Sequence, residues 1–271
     1  MIVDIDARCD IGCVRQNNED MVLVADRLLR DAGIGERFVF DPPGERLVLA
    51  VADGMGGAAA GEWASEYALT RLREILGKAP ADLDGDELRE LIGIWAELVH
   101  AELLAEGGRN SERLGMGTTV VGLLIRRTQA WRFHAGDSRL YRLRGALLER
   151  LTCDHSARQT QGDASLPANL LTNSLGGGRE SWLEVAEIEG GVLAGDRFLL
   201  CSDGVHDLVA DDRLAALLLA DRETALRSII QLARDAGGYD NISALIADIG
   251  RSTPSSTVTA DTVDGFYDPV L

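Results

Sequence analysis

The sequence predicts an α+β fold in which two mostly antiparallel sheets pack face to face, with a pair of helices outside each sheet. Three observations lead to this prediction: strands precede two consecutive amphipathic helices, strands return after them, and two further helices come before a closing strand. This order lacks the strict strand–helix alternation of a doubly wound parallel sheet. It fits a four-layer α-β-β-α sandwich.

Apolar runs define the strands. The opening strand is "IVDIDARCDIG", followed by "DMVLVAD" and by "ERLVLAVADG", which reaches Asp53. Residues 27–45 between the last two are rich in turn formers and predict a loop with a short strand. After the first helix pair, "RLYRLRGALLERL" predicts a hairpin that turns at Arg144 and Gly145. Further strands are predicted at "TTVVGLLIRR", "AWRFHAGD", "WLEVAEIEG", "DRFLLCSDG" and "NISALIADI".

Apolar spacing and capping residues define the first two helices. A helical period over residues 58–77 predicts one helix, with Gly77 as its end. Asp84 and Glu87 have the spacing of a capping box, so a second helix is predicted to begin there and to end at "EGGRN".

The second half of the chain adds two more helices and a tail. The helices are predicted near 211–220 and 222–236, and residues 153–180 are polar and irregular. Residues 1–250 are predicted to form one domain. The Ser/Thr-rich stretch 251–271 is predicted to be a flexible tail.

Composition excludes several classes of protein. The chain has 271 residues and a net charge of −17, which argues against nucleic acid or an anionic membrane as the main partner. It has no apolar run long enough to span a membrane and no secretory signal, so a cytoplasmic monomer is expected. The cysteines form no CxxC pair, which favours buried or reduced thiols over a zinc site: Cys9, Cys13, Cys153 and Cys201.

Acidic residues recur where the predicted strands meet turns. A single Asp-Gly pair would be an ordinary turn. Several such acids in one chain predict a shared site, and they are Glu19 and Asp20, Asp53 before Gly54, Asp137, Asp203 before Gly204, and Asp240 before Asn241.

Carboxylates without histidine or cysteine partners are the ligands that Mg²⁺ or Mn²⁺ prefers. Two such ions, about 3.5–4 Å apart, would share a water molecule and deprotonate it near neutral pH, and they commonly hold phosphate. Arg15, four residues before Glu19, could bind phosphoryl oxygens with its guanidinium group. A surface arginine is the alternative interpretation of that position.

An ordered set of motifs resembles the PPM (type 2C) family of metal-dependent serine/threonine protein phosphatases. The resemblance spans about residues 3–249 and is to the bacterial type of the family. The motifs are "GCVRQNNED", "VADGMGG", "MGTTVVGLL", "HAGDSRLYRL", "LTCDHS", "LLTNSLGG", "GDRFLLCSDGV" and "GGYDNIS". The resemblance implies that 1–250 is a catalytic domain with the sandwich fold.

The resemblance also assigns roles at the core metal pair. Asp53 would bridge both ions, and Gly54 would give its carbonyl oxygen to one of them. Asp203 and Asp240 would bind the other ion. Glu19 would serve the ion on the Gly54 side, directly or through water.

Four further residues receive roles around that pair. Asp20 would support the metal site, and Asn241 would lie just outside the ligands. Arg15 would bind the substrate phosphate, and Asp137 would hold, with Asp203, a weaker third ion.

Two departures bear on catalysis and specificity. Met55 stands where some family members have a histidine that serves as general acid, so a metal-bound water would take that role. The flap, residues 157–168, is short. Because substrate selection in the family involves this region, specificity is the property that the resemblance transfers least. His155 is predicted to be a structural histidine in a turn, and His134 and His206 to pack in the interior.

The predicted function is hydrolysis of phosphoserine and phosphothreonine in proteins by a metal-bridged hydroxide, in opposition to a serine/threonine kinase. One alternative is a phosphatase for a specialised substrate such as a phosphorylated anti-sigma-factor antagonist. Another is a PPM-like module that only binds partners, which would be expected to lack some metal carboxylates. A purely structural acidic protein would require the strand-end aspartates to be coincidental.

Overall fold

The computed structural model describes residues 1–40, 45–163, 165–166 and 170–250. The predicted tail, 251–271, lies outside the described residues, as does part of the predicted flap. The described chain forms two antiparallel sheets packed face to face with helices on both outer sides, so the predicted four-layer α+β sandwich is confirmed.

The first sheet carries both ends of the domain, because its first and last strands pair along their full length from Ile2 opposite Gly250 to Asp10 opposite Ile242. Its strands, from one edge to the other, are β10 (Leu147–Arg150), β9 (Arg139–Arg144), β12 (Arg197–Cys201), β13 (Ile242–Gly250), β1 (Ile2–Asp10) and β4 (Gly33–Val39).

The second sheet is built around β5, which pairs with three described strands. In order its strands are β11 (Glu184–Glu187), β8 (Gln129–Ala135), β7 (Val120–Arg126), β5 (Leu47–Met55), β2 (Asp20–Val24) and β3 (Arg27–Leu29), with the short β6 (Gly117–Thr118) also paired to the end of β5.

Helices cover the outer face of each sheet. Against the second sheet lie α1 (Ala58–Lys78) and α2 (Gly85–Arg109), and against the first lie α4 (Asp203–His206), α5 (Asp211–Leu217) and α6 (Arg222–Asp235). A short α3 (Ala157–Gln161) lies in the segment predicted to be irregular. Within the described residues, no helix combines the length and apolar character needed to cross a bilayer.

Strand β5 shows how the layers divide its side chains. Leu47, Leu49 and Val51 point into the core between the sheets. Val48 and Ala50, on the alternate positions, pack against the helices. The sequence of the strand is therefore apolar from Leu47 to Ala52, because both faces of its sheet are covered.

The helix boundaries differ slightly from the predicted ones. Helix α1 ends at Lys78, one residue beyond Gly77. The predicted capping box is confirmed, since the Asp84 side chain accepts from the Glu87 N–H and Glu87 from that of Asp84. Helix α2 ends at Arg109, within the predicted "EGGRN".

The segment 27–45 contains two strands, β3 and β4, where the sequence predicted one. Strand β4 pairs with β1 from Ile2 opposite Val39 to Arg8 opposite Gly33. Pairing to this long neighbour therefore outweighs the turn-forming composition of the segment.

We expect the four thiols to divide into two fast and two slow groups toward Ellman's reagent. Cys13 and Cys153 are exposed, whereas Cys9 and Cys201 are buried. Burial raises the pKa of Cys9 to about 12 and raises that of Cys201 as well, so both stay protonated. Their reaction should be slower on the order of a hundredfold until the chain is unfolded. In a Cys13→Ser/Cys153→Ser variant the fast phase should disappear, and its persistence would contradict the fold.

Candidate functional site

A cleft of about 460 Å³ opens at the end of the sandwich where the predicted acidic turns meet. It contains seven of the residues that the sequence singled out, namely Arg15, Glu19, Asp53, Gly54, Asp137, Asp203 and Asp240. They converge because antiparallel pairing brings the start of β2 beside the end of β5, with Asp20 opposite Asp53. The end of β12 lies in the same way beside the start of β13.

The backbone around Gly54 is packed too tightly for a side chain. The Gly54 N–H donates to the carbonyl of Glu19 at 3.1 Å. A Cβ atom at position 54 would overlap the carbonyl of Gly61 in helix α1. Glycine is therefore required here for the close approach of strand β5, the β2 entry and α1.

Asp53 is held by Thr119, which lies between β6 and β7. Its N–H donates to the Thr119 hydroxyl at 3.1 Å, and its carbonyl accepts from the Thr119 N–H at 2.8 Å. The same hydroxyl forms a 2.8 Å hydrogen bond with that of Ser138, next to Asp137. These bonds fix Asp53 and the Asp137 turn relative to one another.

Asp20 lies beneath the cleft rather than in its lining. Its side chain is 1% exposed and accepts from the Ser202 hydroxyl at 2.8 Å. Since Ser202 precedes Asp203, this bond links the β2 entry to the end of β12 across the two sheets.

Arg15 and Asp240 face each other at one side of the cleft. The Arg15 guanidinium donates to Asp240 Oδ2 at 2.6 Å. Asn241 stands behind them, where its amide oxygen accepts from the Glu19 N–H at 2.8 Å and its amide nitrogen donates to the carbonyl of Asn17 at 3.0 Å. Asn241 therefore ties the Arg15 loop to the start of β13.

Acidic side chains greatly outnumber basic ones in the described lining of the cleft. Burial, with a further contribution from neighbouring carboxylates, raises the pKa of Asp53, Asp137, Asp203 and Asp20 above the usual range. Among the described residues lining the cleft, Arg15 is the one with a positive charge.

Three buried carboxylate oxygens in this region have no hydrogen-bond partner within the described chain: Glu19 Oε1, Asp20 Oδ1 and Asp203 Oδ1. Buried polar atoms are normally partnered, and buried charges normally pair or bind metal. The donor set is entirely oxygen, which suits Mg²⁺ or Mn²⁺ and fits zinc poorly. The site can therefore accept divalent cations at its carboxylates.

Sequence reasoning missed part of the cleft wall and one anchoring contact. Asn17, Leu171, Ser174 and Gly177 also line the cleft. The last three belong to "LLTNSLGGG", where the motif was the available signal but an irregular segment gave no prediction of which side chains face inward. Thr119, which lies in the motif "MGTTVVGLL", is the residue that anchors Asp53.

Comparisons with known proteins agree with this geometry. The model of the family described as protein phosphatase 2C matches residues 31–239. The chain is 33% identical over 255 residues to the serine/threonine protein phosphatase PstP of Mycobacterium tuberculosis, covering 90% of this chain and 44% of that relative. It is 30% identical over 253 residues to the serine/threonine phosphatase stp of Listeria monocytogenes, covering 89% and 94%.

A solved structure shows a similar fold. It is the catalytic domain of the serine/threonine protein phosphatase PstP in complex with two manganese ions, with 30% identity and a TM-score of 0.75 over 93% of this chain and all of that chain. The chain spans less than half the length of full-length PstP.

We expect Asp53→Asn to stabilise the protein in EDTA, because it removes one charge from a cluster of mutually repelling carboxylates. The melting temperature should rise by at least about 2 °C, measured by scanning calorimetry. In Mn²⁺ the order should reverse, because the variant loses metal binding and the stabilisation that comes with it. Asp82→Asn, at an exposed position outside the cleft, is the matched control. A variant that melts below the wild type in EDTA would contradict the repulsion argument.

Proposed function

The chain belongs to the protein phosphatase 2C family, and we propose that it hydrolyses phosphoserine and phosphothreonine in phosphorylated proteins. The observation that carries this proposal is the buried acidic cluster with unpartnered oxygens, set beside one arginine in a single cleft. A binding module that had lost catalysis would have no need to keep this cluster, because its mutual repulsion destabilises the fold.

The carboxylates would hold two Mn²⁺ or Mg²⁺ ions. Asp53 would be a ligand of both ions, the Gly54 carbonyl and the Glu19 carboxylate would serve one of them, and Asp203 and Asp240 would serve the other. Asp20 supports them from beneath through Ser202. Bound there, the cations would act as Lewis acids that lower the pKa of water and polarise the phosphoryl group.

Asp137 would complete a weaker third cation site together with Asp203. Both side chains face the same cleft. After burial, the charge of Asp203 is the next contribution to the raised pKa of Asp137.

Arg15 would bind the phosphoryl oxygens. Its side chain lines the cleft, is 48% exposed and is held by the bond to Asp240. The planar fork of donors can contact two phosphoryl oxygens while Asp240 keeps its orientation. Arg15 therefore orients the phosphate against the carboxylate cluster.

Met55 lines the cleft but carries no proton to give. None of the described cleft-lining residues is a histidine, and the proton for the leaving serine or threonine oxygen would come from a metal-bound water. A serine/threonine kinase that phosphorylates the same proteins is the partner that this activity would oppose.

Turnover of a phosphothreonine peptide should require added Mn²⁺ or Mg²⁺ and disappear in excess EDTA, because the ligands are oxygen atoms of the hard-cation type. Asp203→Asn should lower kcat about a hundredfold or more while circular dichroism stays unchanged. Asp82→Asn serves again as the control. Full activity in EDTA, with metal removal verified by elemental analysis, would refute the proposed mechanism.

Arg15→Ala should weaken substrate binding without loss of metal. We expect KM for the peptide and the inhibition constant of inorganic phosphate to rise about tenfold or more, since a charge-assisted contact is removed. Mn²⁺ affinity measured by calorimetry should change less than about twofold, and Arg8→Ala, whose side chain lies outside the cleft, provides the control. Lost metal affinity with unchanged phosphate inhibition would show that Arg15 acts on the metal site instead.

A further inference from the structure

His155 lies between two parts of the cleft wall that are distant in sequence. We propose that His155 is a positioning residue that fixes the Asp137 turn and the Leu171–Ser174 wall relative to each other. Its effect on catalysis rests on the proposed phosphatase function. Its contacts can be tested without activity.

The first contact of His155 is with the residue before Asp137. The His155 N–H donates to the Gly136 carbonyl at 2.9 Å, and the Gly136 N–H donates to His155 Nδ1 at 3.2 Å. Gly136 has a φ of 108°, which side chains rarely adopt, and a Cβ there would press on Thr119. One histidine therefore holds both backbone polar groups of Gly136, the residue that precedes Asp137.

The second contact is with the opposite wall. The Asn173 side-chain nitrogen donates to His155 Nδ1 at 2.9 Å, and the Thr172 N–H donates to the His155 carbonyl at 2.8 Å. The orientation of the Asn173 amide is fixed, because its oxygen accepts from the Trp182 N–H at 3.2 Å. Leu171 and Ser174, on either side of this pair, line the cleft.

These contacts determine the tautomer of His155. Nδ1 accepts from two N–H donors, so in the neutral ring the proton is on Nε2, which donates to Glu184 Oε1 at 3.2 Å. Glu184 thereby favours the tautomer that leaves Nδ1 free to accept.

The ligand atoms of His134, His155 and Glu184 lie within 4.8 Å of one another, which is a spacing that a metal site could have. Two features argue against metal here. The His134 and His155 rings are stacked at 4.5 Å with an interplanar angle of 24°, so their in-plane lone pairs do not converge. His155 Nε2 carries a proton and His134 Nε2 contacts the Cys153 carbonyl at 3.0 Å.

Burial makes the two Nδ1 bonds hard to replace. His155 is 7% exposed, with His134 stacked on one side and the Trp182 ring 5.4 Å away. Loss of the acceptor would leave the Gly136 N–H and one of the two N–H groups of the Asn173 amide without a partner in a buried region, while the other keeps its bond to the Trp182 carbonyl. The Asp137 turn and the wall would then keep their backbone bonds to residue 155 but lose the link through its side chain. A peptide substrate, which is large enough to reach the wall, would be affected more than a small phosphate ester.

Two variants separate the acceptor from the rest of the ring. His155→Asn keeps an oxygen near the position of Nδ1, whereas His155→Gln places its oxygen near Nε2 and leaves the two donors unpartnered. We expect His155→Gln to lower kcat/KM for a phosphothreonine peptide at least tenfold and for p-nitrophenyl phosphate less than threefold. His155→Asn should stay within about threefold of the wild type on both substrates.

Equal loss in both variants, or equal loss on both substrates that follows the melting temperature, would overturn the proposal in favour of a purely structural histidine. If His155→Gln does not fold, nitrogen-15 NMR of the wild-type ring decides the matter: an Nε2–H tautomer with a slowly exchanging Gly136 amide supports the proposal, and an Nδ1–H tautomer refutes it. A wild-type protein inactive on both substrates would refute the proposed function, and the NMR result would still test the geometry.

Discussion

The mutual repulsion of the buried carboxylates at one end of the sandwich is the constraint on which the rest of the structure depends. The charges of Asp20, Asp137 and Asp203 each raise the pKa of Asp53, beyond the effect of burial. Such a cluster is unfavourable in a folded protein without cations. The acids therefore require a framework that holds them in place both with and without bound divalent cations.

The two sheets provide that framework because every acidic position is at the end of a strand paired in its interior. Apolar burial in three layers stabilises the strands, and the polar atoms are confined to their ends. Cross-connections then join the ends: Ser202 binds Asp20 between the sheets, and Asn241 binds the loop before Glu19. His155 forms comparable hydrogen bonds between the Asp137 turn and the wall of the cleft.

Much of this could be predicted from the sequence, because strand ends and helix periods are local signals. The order of layers, the Asp84 capping box and the convergence of Asp53, Asp203 and Asp240 all follow from such signals. Features that depend on pairing could not be predicted. Strand β4 forms despite a turn-like composition since β1 offers it a partner, and the place of Asp20 beneath the cleft depends on its contact with Ser202, which is distant in sequence. The roles of individual ligands came from family resemblance and remain predictions, since spacing alone cannot assign them.

The close packing at Gly54 has a consequence for how this domain can change over evolutionary time. Backbone atoms of Glu19 and Gly61 occupy the space that any side chain at position 54 would need. The glycine is thus required by the packing of the backbone, whereas the neighbouring Asp53 is required by the proposed metal binding. A descendant that exchanged its acids for neutral residues and lost turnover would still need the glycine, which makes position 54 a marker of ancestry and the acids a marker of surviving activity.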